Sequence, residues 1–382
     1  MSERVERILS KTAEVSLLVA AAACLTLWLV RIYYAISFVT PYMLATTGYE
    51  WENAYSVWRF TQHLPVYTDP HRIPFTVSYY NWGYYCFYGT LTNAGLRLLH
   101  LDAIWIPTIG RLISLAFTFA AGGLFWLTGR EFVKTGFFAK PAVAWAWILI
   151  AATSPLIGFW SITIRPDMGA LAFEAAGLYV VLRCLRKPDD RLIVVAALLF
   201  YAAWAFKQSS VTMLTGSVLT LVLFKRWRAF ITLSVIWWAL VIVTLIVGGP
   251  VYRENILFSQ QNYPMPFSLG VSNAVRAAVK NPFLLLGLAA IVSSCVRRFR
   301  LRTSRPVEAA FTLVALFSFG FALLTSCKHG ANDNYYIPAA WAAMLGFALM
   351  VQESRSRWLP AGLAVCSALM AGAIVLSPTG RT

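Results

Sequence analysis

Charge is scarce in this 382-residue chain: 13% of its residues are Asp, Glu, Lys or Arg, against about 25% in an ordinary soluble domain. Acids are scarcer than bases, 16 against 32. The six cysteines (Cys24, Cys86, Cys184, Cys295, Cys327, Cys366) show no C-x-x-C spacing, so they read as small buried apolar residues and not as a metal site or disulfide framework. No train of segments of about 10 residues with alternating polarity is present, which excludes a membrane β-barrel. Internal repeats are missing as well, which argues against an inverted-repeat transporter. Together these absences exclude a cytosolic enzyme, a disordered chain and a disulfide scaffold.

What the chain does have is apolar length. Hydrophobic residues make up 59% of it, and its mean hydropathy is +0.65. Apolar runs of about 20 residues recur along it, as spanning helices require. The expected fold class is all-α: one polytopic transmembrane helix bundle over residues 1–382. A threshold of about 18–20 apolar residues places about eleven spans, at 13–38, 105–128, 141–162, 168–185, 191–206, 208–224, 229–248, 281–296, 307–326, 335–351 and 358–376.

The net charge of +16 would suggest a nucleic-acid partner in a soluble chain. Here most of the bases sit in alternate short loops: Arg4, Arg7 and Lys11; Arg130, Lys134 and Lys140; Arg183, Arg186, Lys187 and Arg191; Lys225, Arg226 and Arg228; Arg297, Arg298, Arg300, Arg302 and Arg305; Arg355 and Arg357. That is the charge bias of membrane orientation, with no nucleic acid implied. It predicts a cytoplasmic N-terminus, an outside C-terminus, and a first helix retained as an anchor. The compact size and the absence of an organelle retention signal point to a bacterial inner membrane. Two expected outside loops are long, 40–104 and 249–280, and Asn53 to Gln62 and Asn81 to Leu99 read as amphipathic helices on the outer membrane face.

The cytoplasmic loops carry charge and little else, whereas the outside loops hold the chemically richer groups. Tyr49-Glu50-Trp51-Glu52-Asn53 sets two carboxylates among aromatics; such acids act as general bases when partly desolvated, though acids at a helix start also simply complement its dipole. Arg165-Pro166-Asp167 ends one span and caps the next, but a cation there runs against the charge bias. Glu174, seven residues after Asp167, lies on the same helix face about 10 Å deeper, where an acid must face the bundle interior or a water-filled cavity. Lys207-Gln208 separates two short spans, and Lys207 either snorkels outward or stands as a fixed outer cation. Lys328-His329-Gly330-Ala331-Asn332-Asp333-Asn334-Tyr335 packs cation, imidazole, amides and phenol into one loop, with donors suited to phosphate or sugar oxygens. The Tyr79-Tyr80-Asn81-Trp82 run fits an interfacial aromatic belt and also the apolar faces of sugar rings. Each group alone has an ordinary structural explanation. Their gathering on one membrane face favours a single outward site.

The order of these groups resembles the GT-C class of integral-membrane glycosyltransferases, which includes protein O-mannosyltransferases and the aminoarabinose transferase acting on lipid A. The residues that carry the resemblance are an acid early in the first outside loop, then His63-Leu64-Pro65-Val66-Tyr67-Thr68-Asp69-Pro70, then Arg165-Pro166-Asp167. A late loop with Lys328, Gly330, Asn334 and Tyr335 completes the order. It covers nearly the whole chain in layout. The class usually shows an Asp-Glu pair where this chain has Tyr49-Glu50. The resemblance implies an inverting transferase that moves a sugar from a polyprenyl-phosphate donor to a hydroxyl on a lipid, glycan or protein. Glu50 matches the general base by position, with Glu52 as the second candidate and Asp167 in support. Arg165, Lys207 and Lys328 would hold the donor phosphate, and Tyr80, Asn81, Gln208, His329, Asn334 and Tyr335 would shape the substrate pocket. No cofactor is expected; a divalent metal, which some members need, is not indicated by a chain lacking the Asp of the pair. The rival expectations are a flippase for lipid-linked saccharides, which needs a polar path through the bundle, and a non-catalytic scaffold subunit.

Overall fold

The computed structural model describes residues 3–37, 49–73, 77–187, 189–259, 263–301, 305–351 and 358–376, and these are helical with no strand among them. In chain order the helices are α1 (Glu3–Ser37), α2 (Tyr49–Thr61), α3 (Trp82–Leu98), α4 (Ile106–Phe132), α5 (Pro141–Thr153), α6 (Pro155–Trp160), α7 (Asp167–Arg186) and α8 (Asp190–Phe206). They continue with α9 (Thr212–Leu223), α10 (Trp227–Val247), α11 (Gly249–Arg253), α12 (Phe267–Lys280), α13 (Phe283–Leu301), α14 (Pro306–Thr325), α15 (Ile337–Val351) and α16 (Trp358–Leu376).

Every expected span falls on a helix, but the spans are not alike. Among the described residues six helical stretches are long and apolar enough to cross a membrane, and α12 with α13 passes as a pair bent by 101°. Four more (Pro141–Thr153, Arg191–Phe206, Thr212–Leu223, Pro360–Val375) are apolar but shorter. The expected span over 141–162 is broken: Pro155 has no N–H to continue α5, so the chain restarts as α6 and then unwinds through 161–166. The expected span over 281–296 is the second arm of the bent pair. The two helices expected in the first outside loop form as α2 and α3. In α2, Glu50 and Glu52 sit in the first turn and Arg59 in the last, as the helix dipole favours.

Burial sorts the bundle into inner and outer helices. From Ile337 to Met350, every residue of α15 except Pro338 is buried; a helix apolar all round belongs in the centre. Its Trp341 ring meets Phe125 of α4 edge-on at 5.6 Å. By contrast α10 buries only Leu233, Trp237 and Val241 and exposes Ile231, Val235, Trp238, Ile242 and Ile246, the face of a helix against lipid. In α12 the valines 271, 275 and 279 are exposed, whereas Gly270, Asn273 and Ala277 are buried, so this helix lies amphipathically across the end of the bundle before α13 turns into it. The main core runs through α1, α5, α7, α8, α14 and α15. A second core of Tyr84, Tyr85, Tyr88, Ile113, Ile164 and Phe206 fastens α2 and α3 onto the N-terminal end of α4 and the C-terminal end of α8.

Candidate functional site

The unwound segment 161–166 is buried throughout, so its backbone polar groups need partners. They find them on three helices. The Glu50 carboxylate of α2 accepts from the Ile164 N–H at 3.1 Å. The phenol of Tyr84 donates to the Ile164 carbonyl at 2.9 Å, and that of Tyr88 donates to the Arg165 carbonyl at 3.2 Å. Ser114 of α4 donates to the Thr163 carbonyl. Glu50 is itself held by a two-pronged pair with Arg111, at 3.0 Å from Nε and 3.1 Å from Nη2. Both side chains are buried, with 1% and 3% of their surface exposed. This fixes Arg165 and the start of α7 in space.

Asp167, the first residue of α7, gathers the next layer. Its Oδ1 accepts from Lys207 Nζ at 2.6 Å and from Asn334 Nδ2 at 2.7 Å, and its Oδ2 accepts from Arg165 Nε at 3.0 Å. Three distant pieces of chain thus converge on one carboxylate. Two cations stand on it, and aromatic rings brace both: Arg165 lies over the rings of Trp160 and Tyr80 at 4.9 and 5.6 Å, and Lys207 over Tyr335 at 4.6 Å. The loop after α14 is tied down separately. Asp333 pairs with Lys280 of α12 at 2.7 Å and accepts from the Trp160 indole at 3.0 Å. Asn273 donates to the carbonyl of Ser326 at 3.0 Å.

These supports enclose a cavity of about 360 Å³, within the size range of small-molecule sites, roughly 300–1,000 Å³. Arg165, Lys207, Gln208, Asn334 and Tyr335 line it, with Lys328, His329 and Asn332 of the loop after α14; Glu52, Asn53, Tyr79 and Tyr80 come from the stretch between α1 and α4, and Tyr263 and Met265 from that between α11 and α12. Partial desolvation raises the Glu52 carboxyl above the usual range, with the Arg165 charge acting the other way. Burial lowers the Lys328 ammonium to about 8, and its Nζ stands 5.3 Å from the centre of the Tyr263 ring. Among the described residues no group of three His, Cys, Asp or Glu is arranged to hold a metal ion.

Nine of the twelve residues singled out from the sequence line this cavity: Glu52, Arg165, Lys207, Lys328, Tyr80, Gln208, His329, Asn334 and Tyr335. The other three do not. Glu50 faces Arg111 and the 161–166 backbone, so of the two acids only Glu52 faces the cavity. Asp167 lies behind the wall as the carboxylate that holds it together. Asn81 is fully buried, donates to the Trp204 carbonyl and accepts from Tyr252 at 2.8 Å, which pins the start of α3 to α8 and α11. The His63 to Pro70 segment also stands off the cavity and braces it, Tyr67 donating to the Tyr80 carbonyl at 2.7 Å. Sequence reading missed Arg111, Tyr263 and Met265. Arg111 carried a signal, since a cation within an apolar span must be paired; Tyr263 and Met265 carried none.

The helical fold is shared with two solved structures. ArnT from Cupriavidus metallidurans in the apo state superposes with a TM-score of 0.56 at 15% identity, covering 90% of this chain and 62% of that one. The archaeal oligosaccharyltransferase AglB from Archaeoglobus fulgidus, in complex with an inhibitory peptide and a dolichol-phosphate, superposes with a TM-score of 0.52 at 13% identity, covering 93% of this chain and 55% of that one. Both are GT-C glycosyltransferases. The fold is of the GT-C type. At these identities the likeness is one of fold, and this chain spans under two thirds of the length of either neighbour. No family model and no curated protein sequence matches it.

Proposed function

We propose that this chain is a membrane glycosyltransferase that moves a sugar from a polyprenyl-phosphate carrier to a hydroxyl acceptor at the outer membrane face. The observation that carries the reading is the polarity of the cavity: Arg165, Lys207 and Lys328 line it together with one cavity-facing acid, Glu52. A glycosyl phosphate needs both. The acceptor oxygen attacks the anomeric carbon as Glu52 takes the hydroxyl proton. The bond from that carbon to the phosphate oxygen breaks, and the phosphate leaves on its lipid with its charge held by the three cations. One base and no enzyme nucleophile give inversion at the anomeric carbon. Tyr79, Tyr80 and Tyr263 offer ring faces to the sugar, and Gln208, His329 and Asn334 offer hydrogen bonds. The GT-C fold supports the choice of a lipid-linked donor, and the apolar helices beside the cavity supply the medium for its chain.

The cations make a metal unnecessary for charge stabilisation, so turnover is expected to survive a chelator. The test is the purified full chain in detergent or nanodiscs, given polyprenyl-phosphate sugars and an envelope extract as acceptor, with transfer followed by mass spectrometry. A sugar-bearing product together with free polyprenyl phosphate supports the proposal. Movement of the donor between leaflets of proteoliposomes without any transfer would replace it with the flippase reading.

A further inference from the structure

A second cavity, of about 230 Å³, lies at the far end of α4, enclosed by the last turns of α4, the 133–140 connection, α5 and the second half of α15. Arg111 beside the first site and Arg130 beside this one are 19 residues apart on one helix, roughly 28 Å, close to the ~30 Å of a bilayer core. The two cavities therefore sit at opposite membrane boundaries. The walls are apolar: Phe125, Phe138, Trp147 and Leu345 are buried around it. Its polar lining residues are cations, Arg130 and Lys134, both exposed, and no lining residue is acidic. The acid between them in sequence, Glu131, is directed elsewhere, accepting from the Tyr179 phenol at 2.7 Å and standing 3.8 Å from Arg186. The Arg130 guanidinium lies 5.3 Å from the centre of the Trp126 ring, and Trp126 stacks on Trp145, which is the composition of a headgroup-level girdle.

We infer that this cavity binds an anionic phospholipid of the leaflet opposite the candidate active site. One acyl chain fills the apolar hollow, and the phosphate stands on Arg130 and Lys134. Size and charge argue for this occupant. At about 230 Å³ the space is below the roughly 300–1,000 Å³ of sites for whole small molecules, so it takes part of a ligand. Two cations beside an apolar slot between helices match an anionic headgroup above a hydrocarbon chain. A lipid seated there braces α4, α5 and α15, and α15 begins directly after Asn334 and Tyr335 of the first site.

The test is native mass spectrometry of the purified full chain titrated with phosphatidylglycerol or phosphatidylcholine of matched chains, with thermal melting in parallel. Expected is retention of one phosphatidylglycerol, preferred over phosphatidylcholine on the order of tenfold or more, with a matching rise in Tm. Gly129→Leu fills the hollow; a Cβ at that position meets nothing nearer than Leu345 Cδ2 at 3.8 Å, so the backbone tolerates it and binding is lost. Arg130→Gln with Lys134→Gln abolishes the preference, and Arg130→Lys with Lys134→Arg restores it, which separates charge recognition from misfolding. Equal retention of both lipids overturns the inference, as does an undiminished preference in Gly129→Leu. Retention of undecaprenyl phosphate in place of phosphatidylglycerol overturns it too and assigns the cavity to the carrier lipid.

Discussion

Glu50 and Glu52 are two residues apart, and their surroundings predict opposite phenotypes. Glu50 is buried in its pair with Arg111 and also accepts the Ile164 N–H. In Glu50→Gln one carboxylate oxygen becomes an N–H donor facing a guanidinium, and Arg111 keeps a buried charge without a counter-ion. Removing one partner of such a pair costs about 3–5 kcal/mol, a large share of a typical folding free energy of about 5–15 kcal/mol. Glu52 lines the cavity and is exposed, with no hydrogen bond to another segment among the described residues. Glu52→Gln should leave stability within about 0.5 kcal/mol and slow transfer by about 10²–10⁴, equivalent to ~3–5 kcal/mol on the barrier. The assay pairs detergent melting curves with mass spectrometry of envelope glycolipids in a deletion strain carrying each variant at matched expression. Expected are a low-melting Glu50→Gln chain and a wild-type-melting but inactive Glu52→Gln chain. Full restoration of product by Glu52→Gln would refute the base assignment. A Glu50→Gln protein that melts like wild type yet transfers nothing would return the base to Glu50.

The same site carries further expectations. The rate should rise with pH along a limb above the ordinary carboxylate range, because Glu52 works deprotonated and its pKa is raised; Glu52→Gln removes that limb together with the rate. The kcat/KM for the donor should fall as pH passes about 8, where Lys328 loses its proton, and Lys328→Arg should abolish that fall because a guanidinium stays charged. Asp167→Asn strips the counter-charge from Arg165 and Lys207 and should lower stability by about 3–5 kcal/mol, whereas Lys207→Met in the same chain should recover part of the loss; strict additivity in that double-mutant cycle would show the pair uncoupled. Gly216→Ala should lower the Tm, since the added Cβ meets the backbone Cα of Val314 at 2.6 Å, whereas Gly123→Ala, with nothing within 4 Å, should be neutral or stabilising.

The cavity was legible in the sequence because charge in an apolar chain is conspicuous. Arg165, Lys207 and Lys328 each had an ordinary explanation alone; it was their expected gathering on one membrane face that pointed to a site, and all three line one cavity. The spans were legible as apolar length and their breaks as proline, Pro155 at the end of α5 and Asn281-Pro282 between α12 and α13, but a break signal carries no angle, and the 101° turn of that pair was not legible. Which carboxylate faces the cavity depended on something the sequence did contain. In a helix, residues two apart point about 200° from one another, whereas those three, four and seven apart share a face. Ala54 and Val57 are the apolar side of α2, and both are buried. Glu50 lies four and seven residues before them, on the same stripe, and Glu52 lies off it. The stripe sends Glu50 into the core, where an acid persists only beside a cation, and Arg111 is the cation that the first half of α4 holds in reach. Spacing to the Pro65 segment matches a position in the chain; the stripe decides which way the side chain at that position points, and catalysis depends on the second.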